Sequence, residues 1–165
     1  MTQTRHLAEL NVGRLLAPTD DPRVGEFMAA LDRVNGMGKR MPGFVWMMEG
    51  SGEPGTGNTE AKIEGDPQFV SNLTVWQSVE TLEHFVFNTV HQAFYERRQE
   101  WFEVLGRMHF VMWWVPAGHR PTLDEALERL QHLEAHGDSD HAFGWKYLKE
   151  AQAWKTHGCA QVAAE

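Results

Sequence analysis

Apolar residues along this chain fall into short runs separated by segments of helical spacing. His6 to Leu16 (HLAELNVGRLL) reads as a first strand, broken by Pro18, Asp20, Asp21 and Pro22. Asp21 is placed to cap a helix with Pro22 at its first position. Phe27, Leu31 and Val34 then recur at helical spacing through Val24 to Lys39, and Pro42-Gly43 ends that pattern. Phe44 to Met48 (FVWMM) is a second strand, and the turn-rich stretch from Gly50 to Gly57 joins it to the next. Gln68 to Trp76 is a third strand, rich in β-branched and aromatic residues. Ser78 can cap the following helix, but Thr81 stands where a capping box has Glu, so a full box is not expected. Val79, Leu82, Phe85 and Val86 form that helix's apolar face, and a second helical stretch runs from His91 to Leu105. Met108 to Val115 is a fourth strand. Thr122 caps a periodic helix with Leu123, Ala126, Leu127, Leu130 and Leu133 on one face, ending near Gly137. Beyond His141, the alternation of Phe143, Trp145 and Tyr147 fits an edge strand, followed by a frayed tail.

The order β-α-β-β-α-β with an added C-terminal helix predicts an α+β, ferredoxin-like split βαβ fold. It is a four-stranded antiparallel sheet with helices on one face. Strands two and four are apolar on both sides. Phe44, Trp46 and Met48 oppose Val45 and Met47, while Phe110, Met112 and Trp114 oppose Val111, Trp113 and Val115. A sheet covered on one face alone should show polar residues on the other. The economical cover is a second copy of the sheet, so a homodimeric α/β barrel is expected. The domain is expected to span residues 1–144, with 145–165 as an extension.

Composition narrows the function classes. A chain of 165 residues is one domain's worth of sequence. Seven Trp, nine Phe and eight Met imply an adaptable apolar core or a pocket for an apolar ligand. The net charge of −8 disfavours nucleic acid and anionic lipid, and the densest basic pair, Arg97-Arg98, is flanked by Glu96 and Glu100. The single cysteine, Cys159, excludes an internal disulfide. The opening residues lack the apolar core of a signal peptide, and the longest apolar run, Phe110 to Val115, is too short to cross a bilayer. A cytoplasmic protein is the expectation. No Gly-rich phosphate loop or G-x-S-x-G elbow is present, which argues against nucleotide binding and serine hydrolysis.

The strings from Val75 to Phe102 (VWQSVETLEHFVFNTVHQAFYERRQEWF) and from Met112 to Leu133 (MWWVPAGHRPTLDEALERLQHL) resemble a bacterial family of unknown function within the dimeric α/β-barrel superfamily. The opening strand and Asp20-Asp21-Pro22-Arg23 fit it too, so the resemblance covers residues 6 to about 137. The stretch after Gly144 falls outside it. The superfamily includes antibiotic-biosynthesis monooxygenases, some cofactor-free, along with haem-degrading enzymes, isomerases and stress-responsive proteins. The resemblance therefore implies either a monooxygenase-like enzyme, an isomerase or cyclase without cofactor, or a non-catalytic ligand-binding protein. Trp76, Phe85 and His91 also fall on a looser pattern found in haem-dependent members.

Candidate site residues follow. His91 shares a helical face with Tyr95, Arg98 and Phe102. It suits a haem ligand, with Tyr95 and Arg98 beside the group, or a general base. The structural alternative is a histidine bonded to backbone near a helix start. Arg97 suits a carboxylate fork or, alternatively, pairing with Glu100 and stacking on Trp101. His119 lies in a turn before the last helix and is a second catalytic candidate or a turn-fixing residue. His6 and His109 are expected to be satisfied core or interface histidines. Asn11 and Asn72 stand where strands should be apolar, which suits amides that hydrogen-bond a ligand or bridge a bulge. Together with Trp46, Met48, Trp76, Phe94, Met112 and Trp114 they are expected to line a substrate pocket, joined by Met37 and Met41. His132 and His136 are four apart on the last helix, with Asp138, Asp140 and His141 following, but no third metal ligand in fixed geometry is evident from spacing alone. The resulting expectation is an oxidoreductase on a small apolar or aromatic molecule, with haem as a possible cofactor and otherwise none. It would bind neither nucleic acid nor membrane.

Overall fold

Strand β1 (Arg5–Arg14) runs through the middle of the sheet, antiparallel to β3 (Phe69–Trp76) on one side and to β4 (Phe110–Pro116) on the other. Strand β2 (Phe44–Met47) pairs with the free side of β3, giving the order β2-β3-β1-β4. Helix α1 (Gly25–Lys39) connects β1 to β2, and the short α2 (Thr56–Thr59) lies between β2 and β3. Helices α3 (Val79–Asn88) and α4 (Val90–Glu96) connect β3 to β4, and α5 (Leu123–His136) follows β4. This is the split βαβ arrangement that the pattern implies. The computed structural model describes residues 4–51, 56–60 and 63–151. No helix among them is long and apolar enough to cross a membrane.

Local chemistry sets the helix starts. The Asp21 carboxylate accepts from the Arg23 amide at 2.9 Å, opening a 3-10 turn (Pro22–Val24) ahead of α1. Thr122 accepts from the Glu125 amide at 3.1 Å and starts α5. At α3 the capping box is complete after all. The Ser78 hydroxyl accepts from the Thr81 amide, and the Thr81 hydroxyl accepts from the Ser78 amide, both at 3.3 Å. A threonine hydroxyl supplies the return bond usually made by Glu.

Two expected elements are shorter than the pattern suggested. The helical stretch from His91 ends at Glu96 and continues as a 3-10 turn (Arg98–Glu100). The end of β1 pulls the chain out of the helix. The Leu16 amide donates to the Trp101 carbonyl at 2.8 Å, the Glu103 amide donates to the Arg14 carbonyl at 2.9 Å, and Leu15 bridges to Phe102. The edge strand expected after His141 is also reduced, to one bridge between Phe143 and Met112 and a 3-10 turn (Trp145–Tyr147). Asp138 accepts from the Gly144 amide at 2.9 Å and turns the chain there. Phe143, Leu148 and Ala151 are buried in one cluster with Leu7 and Trp76. The start of the expected extension thus packs on the domain, while Cys159 lies outside the described residues.

Register divides the side chains between two layers. Leu7, Glu9 and Asn11 face the same way as Trp76, Thr74 and Asn72 of β3 and Trp114, Met112 and Phe110 of β4. Helices α1, α3 and α4 close this side. On the other face Ala8, Leu10, Leu73, Val111 and Trp113 are buried with Ala126, Leu130 and Leu133 of α5. The helices therefore lie on both faces. Over β4 and β1 this second face, for which a second copy of the sheet was the expected cover, packs against α5 of the same chain, and the Trp113 indole donates to Glu125 at 3.1 Å across that contact. A bulge in β2 has a further effect. Phe44 pairs with Trp76, but Trp46 pairs with Val75, so the alternation expected along β2 breaks and Trp46 joins the α5 side.

Leu133 packs only into this second layer. Leu133→Ala is expected to lower the unfolding free energy by about 2–5 kcal/mol in urea denaturation, by the same amount at two protein concentrations tenfold apart.

Candidate functional site

A cavity of about 240 Å³ lies between the first face of the sheet and helices α1, α3 and α4. Its walls are mainly apolar, with Phe27, Leu31 and Val34 from α1, Phe85 from α3 and Phe94 from α4. Its floor is polar. Glu9 and Asn11 of β1 and Asn72 and Thr74 of β3 all point into it from adjacent rungs of the sheet. Beside this floor, buried Asn58 of α2 ties two elements together. It accepts from the Asn35 amide of α1 at 2.7 Å and donates to the Ser71 carbonyl of β3 at 2.9 Å.

Glu9 is the residue that the sequence reading passed over. It is 4% exposed, in the middle of the central strand. Its carboxyl accepts from the Thr74 hydroxyl at 2.6 Å and from the Asn11 amide at 2.7 Å. Thr74 in turn accepts from the Trp76 indole N–H at 2.9 Å, so its own hydroxyl proton is committed to Glu9. These donors favour the ionised form, but burial outweighs them and lifts the pKa from the ordinary 4.5 to about 7. The available signal is a carboxyl at a core-facing position of a strand, two residues before Asn11, itself a polar residue where the strand should be apolar.

His91, Tyr95 and Arg98 share the helical wall. The His91 ring approaches Phe85 at 4.9 Å and stacks with Tyr95 at 6.5 Å between ring centres. Its Nδ1 lies 3.3 Å from the Val86 carbonyl. A carbonyl only accepts, so Nδ1 carries the proton and Nε2 the lone pair. Burial pushes the pKa of the ring below its ordinary value, keeping it neutral. Arg98 lies over Tyr95 at 4.5 Å and donates to the Tyr95 carbonyl at 3.0 Å. The Asn72 Oδ1 is buried with no hydrogen-bond partner among the described residues. A buried acceptor in this state is costly unless a ligand donor meets it.

The structure gathers only part of the expected set. Asn11, Asn72, His91, Phe94, Tyr95 and Arg98 line the cavity, and so does His109. Trp46 and Met48 do not, because the β2 bulge sends them to the α5 side. Trp76, Met112 and Trp114 face the correct layer but pack near the opposite end of the sheet with Phe143, and Met37 and Met41 join that cluster. Trp76 reaches the site only through its bond to Thr74. His119 lies in the exposed turn before α5 and contacts Glu125 at 2.7 Å, far in role from the cavity. There it braces the carboxylate that receives the Trp113 indole. Arg97 pairs with Glu26 and Glu100, both at 2.7 Å, and covers Trp101 at 4.8 Å. His6 packs on β1 opposite Val115.

Haem draws no support from this site. The cavity lies just below the roughly 300–1,000 Å³ typical for drug-sized ligands, which suits a small molecule.

Residues 6–160 match the model of a family described as "Domain of unknown function (DUF3291)", and the chain belongs to that family. The match extends beyond Gly144 and so takes in the segment that packs as far as Ala151. No curated protein matches the chain. Two solved structures are similar in fold. PA3566 from Pseudomonas aeruginosa shares 11% identity at a TM-score of 0.45, covering 74% of this chain and all of that one. SnoaB, a cofactor-independent oxygenase from Streptomyces nogalater, shares 14% identity at a TM-score of 0.41, covering 73% of this chain and 98% of that one.

The raised pKa of Glu9 has a stability consequence of definite sign. Below about pH 4.5 the carboxyl is protonated in both states. As pH rises towards 7 the unfolded chain loses this proton first, so stability falls, and above 7 the loss is complete. The total is on the order of 3 kcal/mol. Glu9→Gln is expected to remove it, so that the difference in unfolding free energy between variant and wild type moves in the variant's favour from pH 4.5 to 8. Urea titrations across that range measure it, and the opposite drift would contradict a buried, proton-holding Glu9.

Proposed function

We propose that this member of the DUF3291 family is an enzyme that removes a proton from a small, largely aromatic molecule, with Glu9 as the base. The observation that carries the reading is a carboxyl poised near neutrality, held by Thr74 and Asn11, on the floor of an otherwise apolar cavity. A general base is most effective when its pKa lies near the working pH. Apolar walls suit a flat ring system, and the unpartnered Asn72 carbonyl oxygen suits an O–H or N–H donor on it. Neutral His91 offers the Nε2 lone pair, and Arg98 brings positive charge to the lining, where an enolate oxygen would gain from it.

The reaction we favour is of monooxygenase type. Loss of a proton from an activated CH2 gives a carbanion that adds O2, itself apolar and at home in such a cavity. The carbon gives up its second hydrogen with cleavage of the O–O bond. CH2 and O2 thus become C=O and water, the carbon being oxidised and O2 reduced. No further reductant is required.

Anthrone, an aromatic ketone with an acidic CH2, is a suitable probe. In anaerobic D2O the protein is expected to accelerate exchange of the CH2 protons above the buffer rate, as followed by NMR. The rate should rise with pH about a midpoint near 7. Glu9→Gln should lower it by about 100-fold or more. In air, the same sample should consume one O2 per anthrone oxidised. Exchange without O2 uptake would remove the oxygenase step and leave an isomerase-type reaction. Exchange equal in wild type and Glu9→Gln would overturn the assignment of the base.

A further inference from the structure

On the far side of the sheet from the cavity, the last two turns of α5 and the loop after it bring together groups that the proposed reaction does not use. Glu128 and His132 are four residues apart on one face of α5, and His141 reaches them from the following turn. One ligand atom from each lies within 4.8 Å of the others. The His132 and His141 rings are 4.5 Å apart, and His136, one further turn along, stands 4.6 Å from His132. The spacing of His132 and His136 alone lacked a third ligand. The fold supplies two, Glu128 from one turn back and His141 from the loop.

We propose that Glu128, His132 and His141 form a transition-metal site, with Zn²⁺ as the fitting ion. Two imidazoles and one carboxylate are a donor set that suits zinc and leaves a position for water or for His136. The proton arrangement shows what binding would change. Arg129 Nη1 lies 2.9 Å from His141 Nδ1 and 2.8 Å from the His141 carbonyl. Arginine only donates, so Nδ1 is the acceptor, and the ring proton sits on Nε2, which donates to Glu128 at 3.0 Å. A divalent ion takes the place of that shared proton. The neutral ring then carries its proton on Nδ1, and Arg129 keeps its bond to the carbonyl while giving up the one to the ring. The ion would clamp α5 to the loop bearing Phe143, whose backbone bridges to Met112 of β4. Its role would be structural, holding the helix that covers the second face of the sheet.

The test is titration of the metal-free full chain with Zn²⁺ by calorimetry, together with thermal unfolding. The expected result is one bound ion per chain. Unfolding should shift upward by about 5 °C at a hundredfold excess over the dissociation constant. Affinity should fall about tenfold or more in both His132→Ala and His141→Ala. Arg129→Gln, whose side-chain oxygen can accept from Nδ1–H, should bind Zn²⁺ more tightly than wild type, an effect that a merely structural His141 would not produce. Absence of stoichiometric uptake by the wild type overturns the site. So does uptake that survives both histidine variants or is lost instead in Cys159→Ser, since the ion would then be held elsewhere.

Discussion

The central strand carries a carboxyl in a place where a β-sheet ordinarily presents an apolar side chain. Burying Glu9 is tolerable only because two donors reach it, the Thr74 hydroxyl and the Asn11 amide, and because Thr74 is itself oriented by the Trp76 indole. This arrangement requires β1 and β3 to be in their observed register, with Glu9 opposite Thr74 and Asn11 opposite Asn72. A slip of β1 by one residue would turn Glu9 and Asn11 to the α5 side while Thr74 and Asn72 stayed on the cavity side. The register of the sheet and the chemistry of its floor are therefore one constraint. The cavity exists because helices α1, α3 and α4 bridge over this polar strip without filling it.

The other face is organised by a different principle. It is dry, with Leu10, Val111 and Trp113 wholly buried beneath α5. Its few polar links lie at the margins. Glu125 is one, receiving the Trp113 indole on one oxygen and His119 on the other. Glu128, His132 and His141 are another, at the end of the same helix. The first face holds a reactive group in a partly open cavity, while the second contributes the apolar burial that offsets the cost of that group.

Much of the architecture could be read in the chain. The four strands, the long α1 and the periodic α5 follow from apolar spacing, and Thr122 and Asp21 mark helix starts by their own chemistry. The limits are instructive. Alternation along β2 puts Trp46 on the face of Phe44, but a bulge between Phe44 and Trp46 reverses its side, and a bulge has no period to reveal it. Helical spacing from His91 to Leu105 continued past Glu96 in the sequence but not in the molecule, because backbone bonds to β1 claim Trp101 and Glu103. Asn11, Asn72 and His91 stand out of keeping with their surroundings in the sequence, whereas Glu9, two positions from Asn11, reads simply as part of a strand.

The sequence by itself determined the order of elements, the absence of a phosphate loop or serine elbow, and the presence of polar side chains within strands, because these depend on spacing and residue type along the chain. Only the tertiary structure decided which groups act together. Glu9 and Thr74 are 65 residues apart, yet they meet at 2.6 Å. The raised pKa of Glu9 arises from burial by three helices that no local pattern encodes. The cover of β1 and β4 on the second face, likewise, is a matter of where α5 packs. Side chains distant in sequence acquire their chemistry from a shared environment, and that environment exists only once the sheet has paired and its two faces have been closed.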